Sequence, residues 1–458
     1  MIALGAFFVA TLAAVAVATD RGSDRVTAGG DAATEIAVTL TEFAIQPATI
    51  TVPEGGSLNV TNGGSQTHNL EIIDQGKKTR DIEGGGKTKL DLDGLAAGTY
   101  QVLCAIPGHA DSGMTATLVV GGSGASGEGE GETATASGGT GHDGHDMTAA
   151  DAEQMDADMA AGVQAYLDEA ERYGAGDVER GAQLLEPEVL ADGTKRFELT
   201  AAITDWDVGD GQIVKAWTYN GVVPGPMIKV APGDKVEIAI QNDLPISTDI
   251  HMHGIDVPND LDGVAPITQK PIKAGDSYTY SFTAGANPQL GMYHAHHHGH
   301  VAIVNGLFAP MQVGEVALPL GRTINDVEVP ADLVLTRQYE MVLNDAGVIG
   351  LTLNGKSFPY TEPLTAKQGD WILVNYYNEG LQGHPMHLHR QPHLVVAKDG
   401  FPLAEPYRAD TIWVGPGERY SVLVKAEAPG VWAWHCHILN HAENDQGLFG
   451  MVTTFIVE

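Results

Sequence analysis

The stretch His435-Cys436-His437-Ile-Leu-Asn-His441 sets a thiol between two imidazoles, with a third imidazole four residues beyond. Three further motifs carry paired histidines: His251-Met-His253, His294-Ala-His296 and His387-Leu-His389, the last preceded by His384. Side chains on a strand alternate between faces, so residues i and i+2 point the same way. Each His-x-His therefore offers two imidazoles to one side. In His435-Cys436-His437 the imidazoles point one way and the thiol the other, so one strand can serve two metal sites. Cys436, His441 and His384 can form a blue-copper site, whose ligand set is two imidazoles and a thiolate. The remaining paired histidines, His251, His253, His294, His296, His387, His389, His435 and His437, can hold a three-copper cluster on the opposite face.

A second candidate site lies near the N-terminus. Cys104-Ala-Ile-Pro-Gly-His109-Ala-Asp-Ser-Gly-Met114 puts a thiol, an imidazole and a thioether on one loop, and His68 precedes it. Two imidazoles, one thiolate and a weak axial Met are the ligands of a blue-copper electron-transfer site.

These residues need strands to present them, and the pattern supplies strands. Between Thr39 and Val120, segments such as Ala48-Thr-Ile-Thr-Val alternate, with turns such as Glu54-Gly-Gly between them. From Gly121 to Met147 the chain is Gly, Ser, Thr, Ala, Glu, Asp and His without a large apolar residue before Met147, which reads as a flexible linker. Thr148 followed by Asp151 reads as a helix N-cap. Met155, Met159, Val163 and Tyr166/Leu167 follow at helical spacing, so a short helix is expected to pack on the next domain.

Beyond the helix the sequence repeats. Asn220-Gly221, Gly233-Asp234, Asn242 and His251-Met-His253 recur as Asn354-Gly355, Gly369-Asp370, Asn378 and His387-Leu-His389. Such self-similarity implies two copies of one β domain. The expected fold class is all-β: three Greek-key β-sandwich domains. Residues 1–33 form a leader, 34–121 the first domain, 122–172 linker and helix, 173–318 the second domain and 319–458 the third.

The chain has 458 residues and a formal charge of 25 − 59 = −34, which argues against nucleic acid as a partner because phosphates would be repelled. Two cysteines make no disulfide scaffold. Ile2 to Ala18 is apolar, and Ala16-Val17-Ala18 offers a small-residue cleavage site. The run fits a signal-peptide core or a retained anchor, so an extracytoplasmic location is expected.

The four paired motifs, with Asn220-Gly-Val-Val-Pro-Gly-Pro226 ahead of them, resemble the multicopper oxidases, the laccase-like blue enzymes, from about Phe197 onward. The segment around Cys104 resembles the cupredoxins of the plastocyanin and azurin kind over about eighty residues. The resemblance implies cupredoxin-type domains. It implies type 1 copper at His384, Cys436 and His441, and type 2 copper at His251 and His387. The binuclear type 3 copper falls to His253, His294, His296, His389, His435 and His437. It implies four-electron reduction of dioxygen to water at the expense of a phenol, an aromatic amine, a metal ion or a reduced redox protein. Asp262 matches the family's acidic residue beside the cluster, where it would orient water and relay protons, or it makes an Asp-Gly turn. Glu443 and Asp445 are further relay candidates. Ala295 stands where some relatives carry a type 1 Cys, so the second domain should lack that site. Leu448 stands where many relatives carry the axial Met, and Met451, three residues on, is expected inside a strand.

Three-domain relatives place a spacer domain between the two histidine-bearing halves. Here the halves are joined directly, as in two-domain laccases, so a homotrimer is expected, with the cluster formed between neighbouring chains. The N-terminal copper would serve as an electron relay, or its domain for docking or copper loading. A copper nitrite reductase, also built from two such domains, needs only a mononuclear three-His site. A non-catalytic copper electron carrier is the other class. Of the other histidines, His142 and His145 lie in the linker, His297, His298 and His300 follow the second motif, and His393 is expected to pack near the third.

Overall fold

The structure, a computed structural model, describes residues 35–41, 44–47, 49–63, 67–73, 75–106, 114–121, 149–209, 211–444 and 447–458, the side chains of 44 and 149–153 excepted. The leader, His109, most of the linker with His142 and His145, and Asp445 lie outside the described residues.

Three β-sandwiches follow one another. In the first, a sheet ordered Ala44–Gln46, Glu35–Thr41, Ser57–Asn62, Lys87–Asp91 faces one ordered Thr49–Val52, Thr115–Val120, Gly98–Leu103, Glu71–Ile72, Lys77–Lys78. Alternation does the sorting: Ile50 and Val52 are buried while Thr49 and Thr51 are exposed. Leu40, Ile50, Leu58, Val60 and Leu118 fill the space between the sheets.

The second and third domains share local devices at the repeated positions. Asn220-Gly221 and Asn354-Gly355 adopt positive φ at all four residues (56°, 83°, 52° and 73°), a conformation Asn and Gly tolerate. Each Asn then caps the strand beside it: Thr200 N–H donates to Asn220 Oδ1 (2.7 Å) and Val342 N–H to Asn354 Oδ1 (2.8 Å). Buried Asn242 donates to the carbonyls of Ile246 and Ile272, and buried Asn378 to those of Gln382 and Val414. These amides tie down the loop that leads into each His-x-His strand.

The third domain has two sheets, and their outer faces differ in role. Arg337–Ala346 and Trp371–Asn378 pair in parallel within the six-stranded sheet. Met341, Leu343, Val374 and Tyr376 point into the sandwich core. Val342 and Tyr377 point outward and pack on Trp206, Leu290, Met292 and Phe308 of the second domain. The second domain therefore covers part of the outer face of this sheet, and apolar residues between 316 and 335 cover the part at Leu373, Leu394 and Leu423. The other, five-stranded sheet contains His384–Leu388 and Gly430–Cys436 and lies across the core, about 10 Å behind the first as stacked sheets do.

Helix α1 spans Ala149–Ala175, 27 residues, so it is longer than the short helix read from the sequence and runs past residue 172. It also packs elsewhere: on the third domain rather than the next one in sequence. Tyr166 stacks on Phe358 (ring centroids 5.0 Å apart) and clusters with Ala442, Val452 and Leu448. Thr454 N–H donates to Tyr166 Oη (3.0 Å), and Tyr173 Oη donates to Tyr360 O (2.9 Å). Val163 and Leu167 are exposed, so Tyr166 alone of the Tyr166/Leu167 pair marks the buried face. Tertiary partners, not periodicity, chose the stripe. Among the described residues no helix is long and apolar enough to cross a membrane.

Candidate metal centres

His384, Cys436 and His441 converge inside the third sandwich. Cys436 Sγ lies 3.6 Å from His384 Nδ1 and 3.7 Å from His441 Nδ1, and all three residues are buried. Strand parity brings them there. Residues 384, 386 and 388 of His384–Leu388 point inward, as do Trp434 and Cys436 of Gly430–Cys436, and Met386 pairs with Cys436. Burial pushes the imidazoles down, His384 to about 3 and His441 to about 4, so both are neutral donors. Burial pushes the Cys436 thiol up to about 11, which makes ionisation depend on a bound cation. Two neutral imidazoles and one soft sulfur fit copper.

Met451 stands just ahead of the Val452–Val457 strand, not inside it. Its N–H donates to His441 O (2.8 Å) and its carbonyl accepts from Cys436 N–H (3.0 Å), so it clips two of the three donors together. Its side chain is buried in the same core as Cys436, whereas Leu448 packs with Tyr166 and Ala442.

The second domain holds one quartet. His251–His253 pairs antiparallel with Gln289–His294, placing His251 opposite His294. Met252 points into the core, so His251 and His253 face outward. Ligand atoms of His251, His253 and His294 lie within 4.8 Å of one another. The His296 ring is 5.7 Å from that of His251, and His296 itself is exposed. Burial holds His253 at about 4 and His294 at about 3, both neutral. Ala295 is buried in the apolar core, where no thiol is offered.

The third domain holds the other quartet, on the outer face of the five-stranded sheet. The His387 ring lies 4.8 Å from His389, 5.7 Å from His435 and 5.6 Å from His437. His389 Nε2 and His435 Nε2 point at each other, 3.1 Å apart. His389 and His437 are exposed. One ring nitrogen is committed elsewhere in several members. His251 Nδ1–H donates to Asp262 O (2.7 Å), His387 Nδ1–H to Asp410 O (3.0 Å) and His435 Nδ1–H to Cys436 O (3.0 Å). Each such bond fixes the tautomer and leaves Nε2 for a metal.

Asp262 thus touches the quartet through its main-chain oxygen, with its carboxylate 3.5 Å from His251 Nδ1. Glu443 is exposed on a two-residue strand paired with Gly447–Leu448, beside the Cys436 site. His393 is structural: buried in the core, it shares a hydrogen bond with Tyr376 Oη (3.0 Å), which also accepts from Trp434 Nε1–H (2.7 Å). His297 Nε2 bonds Ser247 Oγ (3.1 Å).

In the first domain, His68, Cys104 and Met114 are all buried. Asn69 N–H donates to Cys104 Sγ (3.4 Å), and Cys104 N–H donates to Met114 O (3.0 Å). Burial pushes this thiol up as well.

Three acids escaped the sequence reading. Asp249 is fully buried and accepts from the N–H groups of His296 (2.7 Å), His297 (2.8 Å) and Ala265 (2.8 Å), pinning both loops of the first quartet. Asp345, buried, places Oδ2 3.7 Å from His384 Nε2, behind the Cys436 site. Glu379 is buried and lines one cavity with His253 and His294.

A multicopper oxidase family profile matches residues 201–317, a second one matches 327–458, and a cupredoxin-like domain profile matches 3–120. Laccase-2 of Botryotinia fuckeliana is 30% identical over 276 residues, which are 52% of this chain and 46% of that protein. The multicopper oxidase MmcO of Mycobacterium tuberculosis is 28% identical over 268 residues, 49% of this chain and 50% of that one. The chain spans about half the length of these curated relatives. Among solved structures, the multicopper oxidase mgLAC is 32% identical with a TM-score of 0.52, over 57% of this chain and 86% of its own. The blue copper oxidase from Nitrosomonas europaea is 30% identical with a TM-score of 0.51, over 57% of this chain and 85% of its own. The first oxidase profile spans the quartet at His251 to His296 and the second spans His384 to His441, so the regions of similarity fall on the metal-binding motifs, and the chain belongs to the multicopper oxidase family.

Proposed function

We propose that the protein is a laccase-like oxidase that couples one-electron oxidation of a donor to four-electron reduction of dioxygen to water. It works as a homotrimer outside the cytoplasm, with type 1 copper at His384, Cys436 and His441 and the type 2 and type 3 coppers at the two quartets. The observation that carries this reading is the Gly430–Cys436 strand. Its Cys436 faces the buried triad while His435 turns to the outer quartet.

The trimer rests on placement. In one chain the first quartet faces the outer side of the six-stranded sheet, where Gly417 approaches His253. The second quartet is on the outer side of the opposite sheet. A sandwich stands between them, which supports the reading that a second chain supplies the missing half. Exposure of His296, His389 and His437 in one chain agrees with that.

Bound copper supplies one-electron redox chemistry and the capacity to gather four electrons for dioxygen. The chain's residues do the rest. Cys436 offers the soft donor, and its main chain joins the thiol directly to His435 and His437. Asp262 and Asp410 carbonyls hold His251 and His387 in the tautomer that presents Nε2. Asp249 keeps the His296 loop in register. The N-terminal domain, with His68, Cys104, His109 and Met114, is a second blue-copper site that passes electrons from an external donor, kept close by its linker.

Copper analysis with oxygen uptake tests this reading. Five coppers per chain and oxygen consumption with a phenol, an aromatic amine or a ferrous salt are expected. A copper-loaded protein that consumes no oxygen with any donor sinks it.

A further inference from the structure

We propose that Glu379 relays protons to the dioxygen reduced at the first quartet, an inference that rests on the oxidase reading above. Glu379 follows the Trp371–Asn378 strand, and its N–H donates to Leu343 O (3.0 Å). Its residue is 6% exposed, and its Oε1 has no hydrogen-bond partner among the described residues. The carboxyl lines a cavity of about 280 Å³ whose wall also contains His253, His294, His300, Met292 and Leu381. A buried carboxyl with an open oxygen is costly where an apolar side chain would pack. Its place in the wall shared with two candidate copper ligands supplies a reason for keeping it.

The groups around it set its protonation. Arg419, from the Arg419–Lys425 strand, acts on it as a cation. The charge of Glu379 reaches Tyr219 in the second domain, and Asp345, from Arg337–Ala346, holds the following loop by accepting from Leu381 N–H (2.6 Å). His253, His294 and His300 share the cavity. In the copper-free protein burial outweighs Arg419 and pushes the acid up to about 8, so there it carries a proton at neutral pH.

Reducing one dioxygen takes four electrons and four protons and yields two waters. The donor supplies the electrons one at a time. For each proton relayed, the Glu379 O–H bond breaks and a new O–H bond forms on the oxygen being reduced. The carboxylate then recovers a proton from solvent through the cavity, past exposed His300. Neither Asp262, with its carboxylate 36% exposed, nor exposed Glu443 has this enclosure.

The test compares the full-length, copper-loaded protein with its Glu379→Gln and Glu379→Asp variants. Copper content and anaerobic bleaching of the blue centre by a reductant are expected to match the parent in both variants. Reoxidation by dioxygen is expected to fall about 100-fold in Glu379→Gln, the size of a lost acid–base residue, and to recover in part in Glu379→Asp. Infrared difference spectra of the copper-free parent against Glu379→Gln at pH 7 are expected to show a protonated carboxyl band that shifts in heavy water. Reoxidation of Glu379→Gln within twofold of the parent overturns the relay and leaves the oxidase reading standing. Absence of the infrared band also overturns it. A parent that takes up no oxygen fails the oxidase reading itself.

Discussion

Cys436 sits 3.6 and 3.7 Å from its imidazole partners, and its chain neighbours His435 and His437 turn to the outer quartet. Serine in its place keeps the shape and removes the soft donor. Cys436→Ser is therefore expected to lose its blue absorption and its turnover with phenols while the quartet coppers remain, read by metal analysis and paramagnetic resonance. Retained turnover would contradict electron entry at this residue. His393 makes a different prediction, for the copper-free protein. Unfolded, it takes a proton below its ordinary 6.5; folded, burial holds it neutral down to about 3. The unfolded state binds more protons across that window, so stability is lost as pH falls from about 6.5 toward 3. Denaturant melts between pH 7 and 4 are expected to show this slope, and His393→Gln to show a shallower one. The paired histidines were legible because a period of two puts both rings on one face whatever surrounds the strand. Asp249, Asp345 and Glu379 were not. Each is an ordinary acid in its local sequence and gains its role only from backbone or rings brought by other strands.

At the level of elements, the loop after the first His-x-His strand shows how little tolerance the site has. Gly263 has φ +76°, and a Cβ there would run into the Ile250 carbonyl beside His251. Gly263→Ala is expected to shift the Asp262 carbonyl off His251 and to cost copper from the quartets, measured by metal content, while the blue absorption at Cys436 stays. The Asn-Gly turns and the Gly-Asp to Asn spacing were legible, since they depend on a residue's own conformational range and short-range bonds. Helix α1 was legible as a helix but not as to its partner. Periodicity marks a stripe, and Phe358, Ala442 and Thr453, far along the chain, decided where the stripe lies.

The whole molecule raises the question of how many chains make one site. Chains carrying His251→Ala and His253→Ala can be refolded together with chains carrying His387→Ala and His389→Ala. Neither variant alone should turn over. If sites form between chains, the mixture recovers about a quarter of parental activity, since random assembly pairs two intact halves at that frequency. No recovery would return the site to a single chain. Redox titration of Cys104→Ser and Cys436→Ser variants, each keeping one blue centre, tests the direction of electron flow. On the relay reading, copper held at Cys104 has to sit at the lower potential. A higher one would remove the driving force toward the oxidase core.

The separation of the two quartets by a sandwich has a thermodynamic consequence. On the interchain reading, copper held by imidazoles of two chains is also an assembly ligand, and linkage is reciprocal. Copper must tighten the trimer by the same factor by which trimerisation tightens copper. Chelation should therefore lower the chain concentration's power to hold the assembly together, and dilution should release metal. The protein would then answer to the product of two supplies, its own abundance and that of copper, and specific activity would rise with chain concentration instead of staying constant.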